Sequence, residues 1–158
     1  MDDDKLLATI FAGDLKELMV ISYIVLGNNQ VTNRFIERKF QMPVQAWSAL
    51  YAINLFPGLR AKEIRQLFPR PQNTISRAVA LLERRGLIAQ EASDTDGREK
   101  RLLVTESGRS LLADMIDLSR RRQEEWLSPL TNDERAIFFK LAQKVASGPQ
   151  LLSSSVMR

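Results

Sequence analysis

The stretch Pro71-Gln-Asn-Thr-Ile-Ser-Arg-Ala-Val-Ala-Leu-Leu-Glu-Arg-Arg-Gly-Leu-Ile88 carries two chemistries on one periodicity. At 100° per residue, Ile75, Ala78, Val79 and Leu82 fall on one face, while Asn73, Arg77, Ala80 and Arg84 fall opposite. The segment therefore predicts a helix with one core face and one polar, basic face. Pro71 has the fixed φ suited to a first helical position, and Gly86 supplies the left-handed residue that closes a helix.

The flanks extend the pattern. Upstream, Ala61 to Phe68 predicts a short helix with Ile64 and Leu67 inward and Arg60, Lys62 and Arg65 outside, and Pro69-Arg70-Pro71 forces a sharp turn between the two helices. Downstream, Leu87–Ala92 and Glu99–Val104 predict two strands joined by the turn Asp94-Thr-Asp-Gly97. Helix, tight turn, polar-faced helix, glycine and hairpin, in that order, make a winged helix-turn-helix. Its second helix enters the major groove of DNA, and its hairpin, the wing, touches phosphates or the adjacent minor groove.

Outside this unit the chain predicts further helices. Residues 14 to 40 contain no proline and place Leu15, Met19 and Leu26 on one broad face with Leu18 and Val25, and Leu18 to Leu26 is apolar nearly all round. A helix of that kind must be covered on more than one side, and in so small a protein a second chain is the expected cover. Pro43 starts another helix, in which Trp47, Leu50, Ile53 and Phe56 recur at intervals of three before Pro57-Gly58 stops it. Glu106 to Leu127 follows the hairpin with Leu111, Met115, Leu118 and Trp126 on a stripe that Arg122 interrupts. Thr131 and Glu134 have the spacing of a capping box ahead of a last helix, with Ile137, Phe138, Leu141 and Val145 expected inward.

Composition excludes more than it identifies. With no cysteine and no histidine among 158 residues, disulfides, thiolate metal sites and thiol redox switches are absent, as are the usual general base and the commonest metal ligand. There is no phosphate-binding glycine loop and no triad to assemble, so an enzyme is not expected, and neither a metal nor a cofactor. The longest apolar run falls far short of the roughly 20 residues of a membrane helix, and Met-Asp-Asp-Asp is no secretory start. No membrane association is expected, and a cytoplasmic location is. Net charge is +4, but residues 58 to 85 carry seven basic side chains against Glu63 and Glu83, a local +5, whereas residues 1 to 29 carry −3. The basic charge is concentrated on the helix-turn-helix, as a polyanionic partner requires.

Four segments resemble the MarR family of bacterial transcriptional regulators, in the family's order: Pro43-Val-Gln-Ala-Trp-Ser-Ala-Leu50; Thr74 to Ile88; Asp94-Thr-Asp-Gly-Arg98 followed by Val104-Thr-Glu-Ser-Gly108; and Leu130-Thr-Asn-Asp-Glu-Arg135. The chain departs from the family at Arg70-Pro71, where a small polar cap is usual, and lacks the cysteines of its redox-sensing branches. The resemblance implies a homodimer held by the N- and C-terminal helices and repression relieved by a small organic ligand.

The expected fold is mainly α with a small β-hairpin wing, a winged helix-turn-helix with long N- and C-terminal dimerisation helices. One domain is expected over residues 1–147, with dimerisation helices at 14–40 and 106–147, a DNA-binding part at 43–104 and a flexible tail at 148–158. The expected function is sequence-specific binding of double-stranded DNA by a homodimer, as a ligand-responsive repressor on a pseudo-palindromic operator. Candidate DNA-binding residues are Gln72, Asn73, Thr74, Ser76, Arg77 and Arg84 on the second helix and Arg98 and Arg101 on the wing, with Asp96 orienting Arg98. Lys100 reads as ordinary hairpin charge, and Arg120, Arg121 and Arg122 as a solvated or dimer-paired face. Trp47 and Tyr51 are candidate effector contacts, although aromatics at helical spacing line a core more often than a pocket. The rival reading is a winged helix reused for protein contacts, which gives no reason for a basic, apolar-poor face on residues 72 to 84.

Overall fold

The computed structural model describes residues 3–68, 71–92, 100–153 and 156. Among the described residues, seven helices and two strands follow in order: α1 (Asp3–Phe11), α2 (Lys16–Phe40), α3 (Val44–Leu55), α4 (Ala61–Leu67), α5 (Gln72–Arg84), β1 (Ile88–Ala92), β2 (Lys100–Val104), α6 (Glu106–Trp126) and α7 (Asn132–Ala146). The fold is mainly helical with a two-stranded antiparallel hairpin, as the sequence predicts. The chain forms two compact units, Met1–Ser119 and Arg120–Arg158.

In the first unit α3 lies against α5 and β2, and α4 lies against α5. Met42, Leu50, Ile53, Ile64, Ile75, Leu82, Leu102, Leu112 and Met115 are fully buried in one continuous core. Ile75, Ala78, Val79 and Leu82 are the buried face of α5, as its periodicity requires. Pro71, expected at the first helical position, instead stands just before α5 as its cap in extended backbone, and Gly86 has φ +67°, the left-handed turn into the hairpin. The strands pair Ile88 with Val104 through to Ala92 with Lys100.

The hairpin has an anchor that the sequence does not announce. Gly58 N–H donates to the Leu102 carbonyl and Leu102 N–H donates to Leu59, both at 3.0 Å, so the α3–α4 connection joins the edge of β2. Gly58 has φ +88°, and this turn brings Leu59 alongside. At the hairpin's other end, the Thr105 hydroxyl donates to the Gly86 carbonyl at 2.6 Å and accepts from Gly108 N–H at 3.1 Å. One hydroxyl thus joins the exit of α5 to the start of α6.

Several inward assignments are corrected. Leu67 and Phe56 are 44% and 50% exposed, because α4 is too short to turn a second residue into the core and α3 ends before Phe56. On α6 the buried pair is Leu112 and Met115, and Leu111 is only half-buried. A helix not expected from the sequence, α1, precedes α2, and Phe11 meets Tyr23 edge-to-face with ring centroids 5.6 Å apart.

In α2 only Ile36 and Phe40 are buried; Leu15 just ahead of it and Leu18, Ile21, Val25 and Leu26 along it are at least half exposed. Within the second unit, α7 opens with the expected capping box: Thr131 N–H donates to the Glu134 carboxylate at 2.8 Å and Glu134 N–H to the Thr131 hydroxyl at 3.3 Å. Arg135 grips Glu124 through two parallel hydrogen bonds of 2.6 and 2.9 Å, which lower the Glu124 pKa and raise that of Arg135. The expectation that Ile137, Leu141 and Val145 point inward is not met: all three are more than half exposed, with no element among the described residues covering them. No helix among the described residues is long and apolar enough to cross a membrane.

Candidate nucleic-acid interface

Thirteen residues of α5 set the site's geometry, and the four buried ones fix its rotation. That rotation leaves Gln72, Asn73, Ser76, Arg77 and Arg84 exposed and Thr74 half-buried. Beside them runs an open groove of about 490 Å³, in which Thr74, Arg77, Ala78 and Arg84 face Pro43 and Gln45 from the first turn of α3. Arg77 and Arg84 make no ion pair or hydrogen bond with the described residues, so two guanidinium forks stand available on one side of the helix. An unpaired guanidinium there is a donor set for base acceptors or phosphate oxygens.

The other candidates on α5 differ in what their polar atoms already do. Ser76 donates its hydroxyl back to the Gln72 carbonyl at 3.1 Å, a local bond that leaves its oxygen able to accept but occupies its proton. Gln72 accepts through Oε1 from the Arg65 guanidinium of α4 at 3.1 Å. Glu83, the one acid on the helix, accepts from the Gln90 amide of β1 at 2.6 Å.

The short helix α4 is held from its first turn. The Glu63 carboxylate accepts from Arg60 N–H at 2.9 Å and from the Arg60 side chain, whose Nε lies 3.0 Å away and whose terminal nitrogen pairs with the same carboxylate. These bonds hold the Glu63 pKa at about 2, against an ordinary 4.5; the Arg60 side-chain bond is the largest cause, its backbone bond the next, and partial burial opposes both. Glu63 therefore stays ionised and balances Arg60, leaving the excess of positive charge on α5 and the outer side of α4.

On the hairpin, Arg101 is exposed on β2 opposite Glu91, and its stem lies beside Gly58. Arg98 and Asp96 lie outside the described residues. Trp47 and Tyr51 are half-buried one turn apart on α3, their rings stacked with centroids 5.7 Å apart and 2° between planes, and both pack on the core. The Trp47 indole nitrogen is buried without a hydrogen-bond partner among the described residues. Reasoning from the sequence missed Gln45 and Arg65. Gln45 sits two residues into the segment that Pro43 begins, the place where a helix N-terminus faces its neighbour, and Arg65 lies on a different helix from Gln72, so no local pattern brings the two together.

The chain is similar in sequence and fold to known proteins. Residues 40–99 match the family model described as MarR family. Transcriptional regulator HosA of Escherichia coli O111:H- is 26% identical over 99 residues, which is 63% of this chain and 73% of HosA. A MarR family transcriptional regulator from Listeria monocytogenes, solved in complex with a 26mer DNA, superposes with TM-score 0.75 at 22% identity, covering 82% of this chain and 85% of its own. PcaV, a transcriptional regulator of Streptomyces coelicolor solved with its natural ligand, superposes with TM-score 0.67 at 23% identity, covering 87% of this chain and 94% of its own.

Proposed function

We propose that this chain, whose residues 40–99 match the MarR family model, is a DNA-binding transcriptional regulator of that family, a sequence-specific repressor acting as a homodimer on a pseudo-palindromic operator. The observation that carries the reading is the outer face of α5, where Arg77 and Arg84 stand without partners among the described residues, on the side opposite the buried Ile75 and Leu82. An enzyme or a protein-docking module gives no reason to present two unneutralised guanidinium groups among Gln, Asn and Thr side chains. A DNA major groove does.

The dimer is supported by the apolar surfaces that a single chain leaves bare. Leu18, Ile21, Val25 and Leu26 on α2 and Ile137, Leu141 and Val145 on α7 would each cost solvation free energy if left in water, at about 25 cal/mol for every Å² that association would bury. A two-fold dimer would present two copies of α5 to one face of the duplex, with half-sites about one helical turn apart. Release by a small organic effector completes the proposal. It rests on the family and on the unpartnered indole N–H of Trp47 beside Tyr51, a donor that a ligand oxygen would satisfy.

Selection of bound fragments from the source genome, followed by titration of the recovered site at increasing salt, tests this reading. Enriched sites with dyad symmetry, affinity that falls steeply with salt, and a solution mass twice the 18.0 kDa of one chain are expected. No enrichment, with binding instead to a folded protein, would favour the protein-contact module.

A further inference from the structure

Gln72 is the first residue of α5, and Arg65 on α4 donates from Nη1 to its Oε1 at 3.1 Å. A glutamine amide has an oxygen that accepts and a nitrogen that donates, and which of them faces a neighbour is ordinarily open. Here the neighbour settles it, because a guanidinium carries donors and no acceptor. Only the oxygen can face Arg65, so the NH₂ group points away from it.

We propose that Arg65 is a positioning residue that makes Gln72 read a base as a donor, selecting an acceptor edge such as guanine. Glutamine by itself suits adenine, whose N6 amino group gives a proton to the amide oxygen while N7 takes one from the amide nitrogen. With a guanidinium on that oxygen, an approaching adenine amino group meets positive charge and a partly occupied acceptor. The same bond polarises the amide and strengthens its N–H donors. Guanine, with O6 and N7 both acceptors, takes those donors without needing the oxygen, and thymine O4 can take one. The inference rests on the DNA-reading function proposed for α5 and assigns chemistry to one of its positions.

Both side chains are exposed, so Arg65→Ala, Arg65→Lys and Gln72→Ala should stay folded, which thermal melts verify. Each is titrated, with the unmodified protein, against the selected operator and variants carrying all four bases at every half-site position. Gln72→Ala is expected to flatten preference at one base pair, where the unmodified protein favours guanine or thymine over adenine. Arg65→Ala is expected to improve adenine relative to guanine at that pair by about tenfold, and Arg65→Lys, which keeps a charged donor, to restore most of the original order. The proposal is overturned if the Gln72-dependent pair prefers adenine in the unmodified protein, if Gln72→Ala flattens no pair, or if Arg65→Ala lowers affinity equally for every base. An unmodified protein that discriminates among no bases contradicts the DNA-reading function itself, which is a separate outcome.

Discussion

Arg85 reaches back 45 residues in sequence to donate to the Phe40 carbonyl at 3.1 Å, and the same nitrogen donates to the Gln41 carbonyl at 3.2 Å. Carbonyls at a helix C-terminus lack helical partners and carry partial negative charge, so a guanidinium there both satisfies and neutralises them. The contact ties the end of α5 to the end of α2, at the point where Gln41 turns the chain with φ +49°. Arg85→Ala should lower unfolding free energy by about 1 kcal/mol and weaken binding to every DNA sequence alike, since it loosens the placement of α5 without touching its outer face. Urea unfolding and titration of matched and mismatched duplexes check both parts; a loss confined to one base pair would show that Arg85 itself reads DNA.

Gly108 gives a sharper stability test. A Cβ on it would sit 2.0 Å from the Leu87 carbonyl oxygen and 2.8 Å from Val104 Cγ1, one of them backbone. Gly108→Ala must therefore push α6 off the hairpin, and we expect a loss of at least about 2–3 kcal/mol. A variant that melts within a degree of the parent would mean that the α6 start and the wing do not meet as described.

Glu63 predicts a pH dependence with a definite sign. Its folded pKa of about 2 lies below the ordinary 4.5 of an unfolded chain, so its contribution is complete above about pH 4.5 and is lost as pH falls toward 2. Glu63→Gln should cost about 1 kcal/mol at pH 7, the scale of a well-formed, partly exposed ion pair with a cap. The gap between the parent and Glu63→Gln should narrow as denaturant titrations move from pH 5 to pH 3. A gap that widens on acidification would contradict the Arg60–Glu63 geometry.

Much of the fold is written in local periodicity. The buried face of α5 and Gly86 after it each obey a rule that spans one or two turns, and α5 lies where those rules place it, beginning one residue after Pro71 rather than at it. The bridge from Leu59 to Leu102 could not be read in this way, because it joins residues 43 apart and Gly58-Leu59 has no strand pattern of its own. Leu67 and Ile137 misled for a related reason: spacing finds the apolar face of a helix but not whether the same chain covers it. At the site, residue type identified Arg77 and Arg84 as candidates, and only the fold set Gln45 across the groove from them and Arg65 against Gln72.

The central claim is that the outer face of α5 reads bases, and Arg77 tests it most directly. Dissociation constants for the parent and Arg77→Ala are compared on the selected operator and on every single-base-pair variant of it, with Arg98→Ala as a contrast. A bidentate arginine to guanine contributes about 1–3 kcal/mol of discrimination. Arg77→Ala should lose that much on the operator and become indifferent to base identity at one position per half-site, while Arg98→Ala weakens all duplexes nearly alike and makes the salt dependence shallower. Arg77→Ala losing the same factor on every duplex, with the parent's base preferences intact at each position, would contradict the account.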